Sequence, residues 1–368
     1  MRSSGKKFTS KHNLKILEKI KIGGINLKNR IVVSPMCQYS ALNGSPTLWH
    51  YNHLGKLISS GAGMVMIEST AVNKVGKISH SDLALYNSQQ EKNFKKLLNY
   101  LKKIEDVPIG LQISHSGRKG SAFIPWIKKN TALDKKNKKW LTYAPSRIKR
   151  DKKWPMPKEL SHKKINQIIK DFKNTTKRAK RVGFEGVELH MAHGYLLHEF
   201  LSEVSNKRKD NFGGSLEKRC NLPLKIAKEM RKIWPKNKIL GARITGVDHL
   251  RNGIKIKDSV YLAKKLKKIG FNYVCVSSGG IIPITNLKFK KSFRAPISKI
   301  IKKKASIITR TSGLINDLNQ ANKIVKGGQA DLVAMGRIFI KDPMWIYKSI
   351  SSIKKVKNFI PNQYKRCF

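Results

Sequence analysis

Acidic residues are scarce in this chain: 22 Asp and Glu stand against 77 Lys and Arg, a formal net charge of +55 over 368 residues. So one-signed a surface attracts polyanions whatever their sequence. The lysines, however, are spread over every stretch of helical spacing, as in Lys225, Lys228 and Lys232 or Lys264, Lys265, Lys267 and Lys268. No aromatic-basic motif or helix-turn-helix pattern accompanies them, so the charge reads as compositional drift, and nucleic acid is not the expected partner. Cysteine is sparse as well. Cys37, Cys220, Cys275 and Cys367 show neither a CxxC nor a zinc spacing, which argues against disulfides and metal clusters. Long apolar runs are lacking: no stretch reaches the length of a membrane span, and residues 1–19 have no apolar core of a secretion signal. The first fifteen residues are basic and acid-free, a weak likeness to organelle-targeting segments, and a cytoplasmic enzyme is the expectation. No Pro/Ser/Gly-rich linker divides the chain, so residues 1–368 are expected to form a single domain.

What is present is a repeat of strand and helix. Eight short apolar runs recur: Arg30–Met36, Met64–Ser69, Ile109–Ser114, Glu185–His190, Ile239–Thr245, Tyr273–Ser277, Ala305–Arg310 and Asp331–Gly336. They are rich in Val, Ile, Leu and Met without clean alternation, as parallel strands buried on both faces should be. Helical spacing fills most gaps, over Trp49–Ser60, Asn93–Ile104, Leu160–Val182, Ser215–Ile233, Asp258–Ile269 and Asp317–Val325, with start signals at Ser161, Ser215 and Pro343. Eight such units predict a closed (β/α)8 TIM barrel, an α/β fold, over a doubly wound sheet, which would want a glycine-rich turn after its first strand. Ile20–Asn29 reads as a hairpin turning at Gly23-Gly24 that plugs the barrel floor. Residues 117–158, with Trp126, Trp140 and Trp154, form a long insertion after the third strand and are expected to act as a lid or capping segment.

Chemistry-bearing residues cluster just past the runs. The fourth run leads into His190, His193 and Tyr195, and two geometries are open there. With Glu68 the histidines could hold zinc for a hydrolase. Alternatively, two neutral N–H donors could polarise a carbonyl while the phenol, protonated at neutral pH, supplies a proton. After the seventh and eighth runs, Ser312-Gly313 and Gly336-Arg337 combine close backbone approach with a cation where barrels commonly bind phosphate. Arg243 and Gln112 should point into the same mouth, where an inward arginine needs an anionic partner. The first run ends in Cys37 and Tyr39.

Taken together, SPMCQYS (34–40), HGYLLHEFLSEVSN (193–206) and NKRKDNFGGSLEKR (206–219) resemble the old yellow enzymes, flavin-dependent oxidoreductases, and in particular their bacterial branch of NADPH dehydrogenases and xenobiotic reductases. The likeness spans Ile20 to Arg366. Two positions depart from it: Phe212 stands where Tyr is usual, and Lys218 where Asn is usual. The resemblance implies tightly bound FMN, NADPH as reductant and an electrophilic alkene as the substrate, reduced at its C=C bond. It places Ser34, Pro35, Met36 and Cys37 along the flavin ring, with Cys37 tuning its potential. Ser69, Gln112 and Arg243 would hydrogen-bond the ring, and Gly313, Gly336 and Arg337 would hold the phosphate. His190 and His193 would grip the substrate carbonyl, Tyr195 would donate the proton, and Tyr39 would flank the pocket. The ending QYKRC resembles a tail whose arginine, here Arg366, enters the neighbouring subunit's site, implying a homodimer or homotetramer. Related barrels that reduce dienoyl-CoA or oxidise amines carry an iron–sulfur cluster, for which the cysteine spacing here gives no support.

Overall fold

The computed structural model describes residues 14–283, 289–351 and 359–368; the basic first thirteen residues lie outside them. An antiparallel hairpin, β1 (Ile20–Ile22) and β2 (Ile25–Leu27), leads into eight parallel strands that close on themselves. The first three are β3 (Ile31–Val33), β4 (Met64–Ala71) and β5 (Ile109–Ser114). Within the insertion, β6 (Tyr143–Ala144) and β7 (Lys158–Glu159) pair as a separate small sheet. The barrel is completed by β8 (Gly186–Met191), β9 (Ile239–Thr245), β10 (Tyr273–Ser277), β11 (Ile308–Thr311) and β12 (Leu332–Met335), with β12 returning to pair with β3. Most of these strands are buried at every residue because helices cover one face and the barrel interior the other, which is why their sequences lack alternation.

Local chemistry sets the helix ends. Ser161 caps the helix His162–Val182 by accepting from the Lys164 amide, and Gly183, at φ +104°, stops it in the left-handed conformation that glycine adopts freely. Ser215 caps Leu216–Ile233 in the same way. The predicted helix at Asn93 begins earlier, at Ser88, because Asn87 and Gln90 form a reciprocal capping box. The predicted seventh strand is displaced: Ala305 ends the helix Ala295–Ala305, Ser306 reverses the chain at φ +48°, and the strand starts only at Ile308. A left-handed serine carries no sequence signature comparable to a glycine.

The hairpin closes the floor. Ile22 and Leu27 pack with Val32, Met64, Met66, Ile239, Tyr273 and Leu332 across the barrel's lower end. Gly24 lies so close to Asn237 that a Cβ would sit 2.5 Å from its carbonyl oxygen. Higher up, a polar layer crosses the interior. Gln112, Glu188, Gly241 and Tyr273 are paired in register, and the Tyr273 ring occupies the space that a side chain on Gly241 would need. Fully buried Glu188 accepts from Tyr273 Oη at 2.8 Å and from Gln112 Nε2 at 2.7 Å, and it is ion-paired with Arg310.

Candidate active site at the barrel mouth

Above this layer, strand register brings the sequence-predicted residues to one place. His190 lies beside Arg243, which lies beside Cys275. On β4 an irregularity at Glu68 inserts one extra residue opposite β5, so that Ser69 becomes the partner of inward-facing Gln112. The displaced Glu68 leaves the mouth: it faces His50 Nε2 at 3.3 Å and accepts from the Gln38 amide at 2.8 Å. It therefore does not meet His190 and His193, which removes the carboxylate from the zinc-hydrolase alternative. Among the described residues no group of three or more His, Cys, Asp or Glu could hold a metal ion.

The histidines form a directed relay. His190 Nδ1 accepts from the Ala192 amide at 3.2 Å, so its proton is on Nε2, which meets His193 Nδ1 at 3.2 Å. The proton of His193 is then on Nε2, facing Ser277 Oγ at 2.5 Å. Burial, followed by the charge of Arg243, holds both imidazoles well below the usual histidine range, so both are neutral donors at neutral pH. The Tyr195 ring stands edge-on to His190, with centroids 4.8 Å apart, and burial pushes its phenol well above its ordinary value, keeping the proton on. Lys119, which sequence reading passed over, donates to the His193 carbonyl at 2.6 Å and lies 4.9 Å from the Tyr195 ring centre. Burial, then Arg150, lowers its ammonium to about 7.

His193 and Gly194 are both left-handed, at φ +61° and +72°. Buried Asp248 and His198 hold this turn from behind: Gly194 N–H donates to His198 Nδ1 at 2.8 Å, and His198 Nε2 faces Asp248 Oδ1 at 3.0 Å.

Cys37, Tyr39 and Tyr195 pack against Ile78 and against Ala122, Ala132 and Trp154 of the inserted segment. Burial, then Glu68, raises the Cys37 thiol, so it is a protonated thiol rather than a thiolate. Arg118 fastens the insertion: its guanidinium donates to the carbonyls of Ile148, Lys149 and Ile281. At the insertion's base, Arg208 donates to Pro145 O and Leu160 O and pairs with Asp210, while Asn206 Nδ2 donates to the carbonyls of Phe200 and Phe212. The 206–219 motif thus works as a clamp between the inserted segment and the barrel, and Phe212, at its unusual position, packs against Phe200 and His162.

On the opposite side of the mouth, a cleft of about 230 Å³ is lined by Ser34, Pro35, Met36, Arg243, Gly313, Gly336 and Arg337, and also by Arg294 and Ser312. Among the described residues no acidic side chain lines it. Gly313 takes φ +121°, and a Cβ on Gly336 would press on Met36 Sδ at 2.9 Å. Buried Arg243 Nε has no hydrogen-bond partner. A donor left over in an acid-free cationic cleft fits a phosphorylated, electron-rich ring such as FMN. Arg366 is elsewhere: it is exposed on the turn Asn362–Cys367, whose segment lines a cleft with Ser59, Ile104 and Glu105 at the floor end.

A floor-plugged (β/α)8 barrel with a cationic cofactor cleft beside neutral imidazoles and a phenol defines a class, the cofactor-dependent oxidoreductases built on this fold. Comparison with known proteins narrows it. The model of the NADH:flavin oxidoreductase / NADH oxidase family matches residues 15–355, and the chain belongs to this family. It is 34% identical to an NADPH dehydrogenase of Listeria innocua over 356 residues, covering 96% of this chain and 99% of that protein. An NADPH dehydrogenase of Geobacillus thermodenitrificans is 34% identical over 345 residues, 93% of this chain and 95% of its own. Morphinone reductase in complex with tetrahydroNAD shares the fold at a TM-score of 0.77 and 22% identity, covering 91% of this chain and 90% of that one. The protein is an FMN-dependent NAD(P)H oxidoreductase of the old yellow enzyme type.

Proposed function

We propose that the protein is an ene-reductase that uses NADPH to reduce the C=C bond of α,β-unsaturated carbonyl compounds. The observation that carries this reading is the pair of neutral imidazoles beside a protonated phenol, set in a mouth that also holds an acid-free cationic cleft. When bound, FMN supplies the hydride relay between NADPH and the alkene. Gly313, Gly336 and Arg337 would hold its phosphate, Ser34, Pro35, Met36 and Cys37 would border its ring, and Ser69, Gln112 and Arg243 would hydrogen-bond it. Glu188 supports that role by fixing Gln112 through its amide nitrogen.

His190 and His193 would bind the substrate carbonyl. Their N–H groups are at present satisfied by His193 and Ser277, so an arriving oxygen competes for donors already neutral and already oriented. As negative charge gathers on that oxygen, fixed donors gain strength without reorganising. Tyr195 would protonate the α-carbon, and Tyr39 would shape the approach. Arg366, on the floor side of its own barrel, would complete the mouth of a neighbouring copy in a homodimer or homotetramer. The NADPH preference follows the names of the Listeria and Geobacillus relatives.

The test is the visible spectrum of protein purified at high salt. A flavin band that bleaches with NADPH under anaerobic conditions and returns on adding cyclohexenone supports the proposal. Protein that stays colourless after reconstitution with FMN overturns it.

A further inference from the structure

We propose that Arg294 is a further phosphate-recognising residue of the cofactor cleft, a guanidinium that joins Arg337 in selecting the dianionic end of FMN over an uncharged flavin. The proposal rests on the cofactor assignment above and adds to it a residue that neither strand ends nor motif spacing point to.

Arg294 immediately precedes the helix Ala295–Ala305 and lines the same cleft as Gly313, Gly336 and Arg337. Its orientation is fixed from three sides. Nε donates to Ser278 Oγ at 2.9 Å, Nη1 reaches Ser312 Oγ at 3.4 Å, and the guanidinium lies 4.5 Å from the Phe293 ring centre. The segment carrying it is tied to the glycine turn: Ser292 N–H donates to Gly313 O, and Gln320 Nε2 bridges Ser292 Oγ and Leu314 O. Gly313 closes the assembly, because a Cβ there would sit 2.8 Å from the Phe293 ring and 3.4 Å from Arg294 Cδ.

All of this holds a cation in place without neutralising it. The two serines are uncharged partners, and among the described residues no carboxylate pairs with Arg243, Arg294 or Arg337. Three guanidinium groups around one small acid-free cleft repel one another. Burial first, then Arg243, with Arg337 adding to it, brings the Arg294 group down to about 10. Among the described residues nothing repays that repulsion, whereas a phosphate dianion would, through charge-assisted hydrogen bonds to a planar fork of donors.

The experiment titrates flavin-free full-length protein with FMN and, separately, with riboflavin, following flavin fluorescence. Wild type, Arg294→Met and Arg294→Lys are compared. Loss of one charge-assisted contact should weaken FMN binding about 10- to 100-fold in Arg294→Met. Riboflavin affinity should change less than about threefold, and Arg294→Lys should recover part of the FMN loss, as a point charge without the fork. Equal losses for both flavins would make Arg294 a structural residue and overturn the assignment. Unchanged FMN affinity with weakened NADPH binding would also overturn it, moving the arginine to the nicotinamide cofactor. Wild-type protein that binds neither flavin would remove the cofactor assignment itself, and Arg294 with it.

Discussion

At the residue scale the mouth is defined by protons that are held rather than free. Tyr195 keeps its proton because burial disfavours the phenolate, and the acid role proposed for it would be separable from reduction of the cofactor. Tyr195→Phe should therefore lower alkene turnover by about 10²- to 10⁴-fold, while stopped-flow bleaching by NADPH stays within a few-fold of wild type. With buried Asp82, which acts on Tyr39 and Tyr195, Lys119 is one of the groups near the mouth poised to titrate near neutrality. Arg118 on its own turn, Arg150 of the insertion, Glu199 behind the fourth strand, Cys37 after the first and the Tyr195 ring all face it. As pH rises through about 7, Lys119 loses the charge that strengthens its bond to the His193 carbonyl and stabilises a phenolate forming at Tyr195. Alkene turnover should fall across that range, and Lys119→Met should flatten the limb. The stability effect has the opposite slope. Between about 7 and its ordinary value of 10.5, the unfolded lysine binds the proton and the folded one does not, so stability rises with pH, and the variant should lose this rise in urea titrations.

At the scale of elements, legibility followed burial. The eight strands could be read because parallel strands covered on both faces become continuous apolar runs, and the hairpin because two glycines mark its turn. Interior phase was harder to read. In Tyr273, Cys275 and Ser277 every second residue points inward, but both faces are apolar, so nothing in the run marks Ser277 as the partner of His193. Lys119 and Arg294 were hidden by composition: among 77 basic residues, the few that are fixed in the mouth look like the many that are solvated. Glu188 and Arg310 were obscured in another way, since a buried pair inside a barrel strand leaves no periodic trace. The His193–Gly194 turn offers an element-level test. A Cβ on Gly194 would lie 2.1 Å from Gly280 O, at a φ of +72°. Gly194→Ala should cost well over ~1 kcal/mol in denaturant unfolding and raise KM for the alkene by displacing His193.

At the scale of the whole molecule, the excess of positive charge is spread over exposed positions of the helices and the inserted segment, while several of the few acidic groups have fixed tasks. Glu188 anchors the interior, Asp248 braces the His193–Gly194 turn through His198, Asp210 clamps the base of the inserted segment, and Glu68 secures the chain after the first strand. Among the described residues, no helix is long and apolar enough to cross a membrane. The hairpin packed into the floor carries one last consequence. The interior is a packed core and the hairpin covers its floor, so the mouth is the one door, and the nicotinamide donor and the proposed alkene acceptor would take turns there. Double-reciprocal plots of initial rate should then give parallel lines, and high concentrations of either reactant should inhibit competitively against the other. Intersecting lines would mean that both reactants fit through the door together.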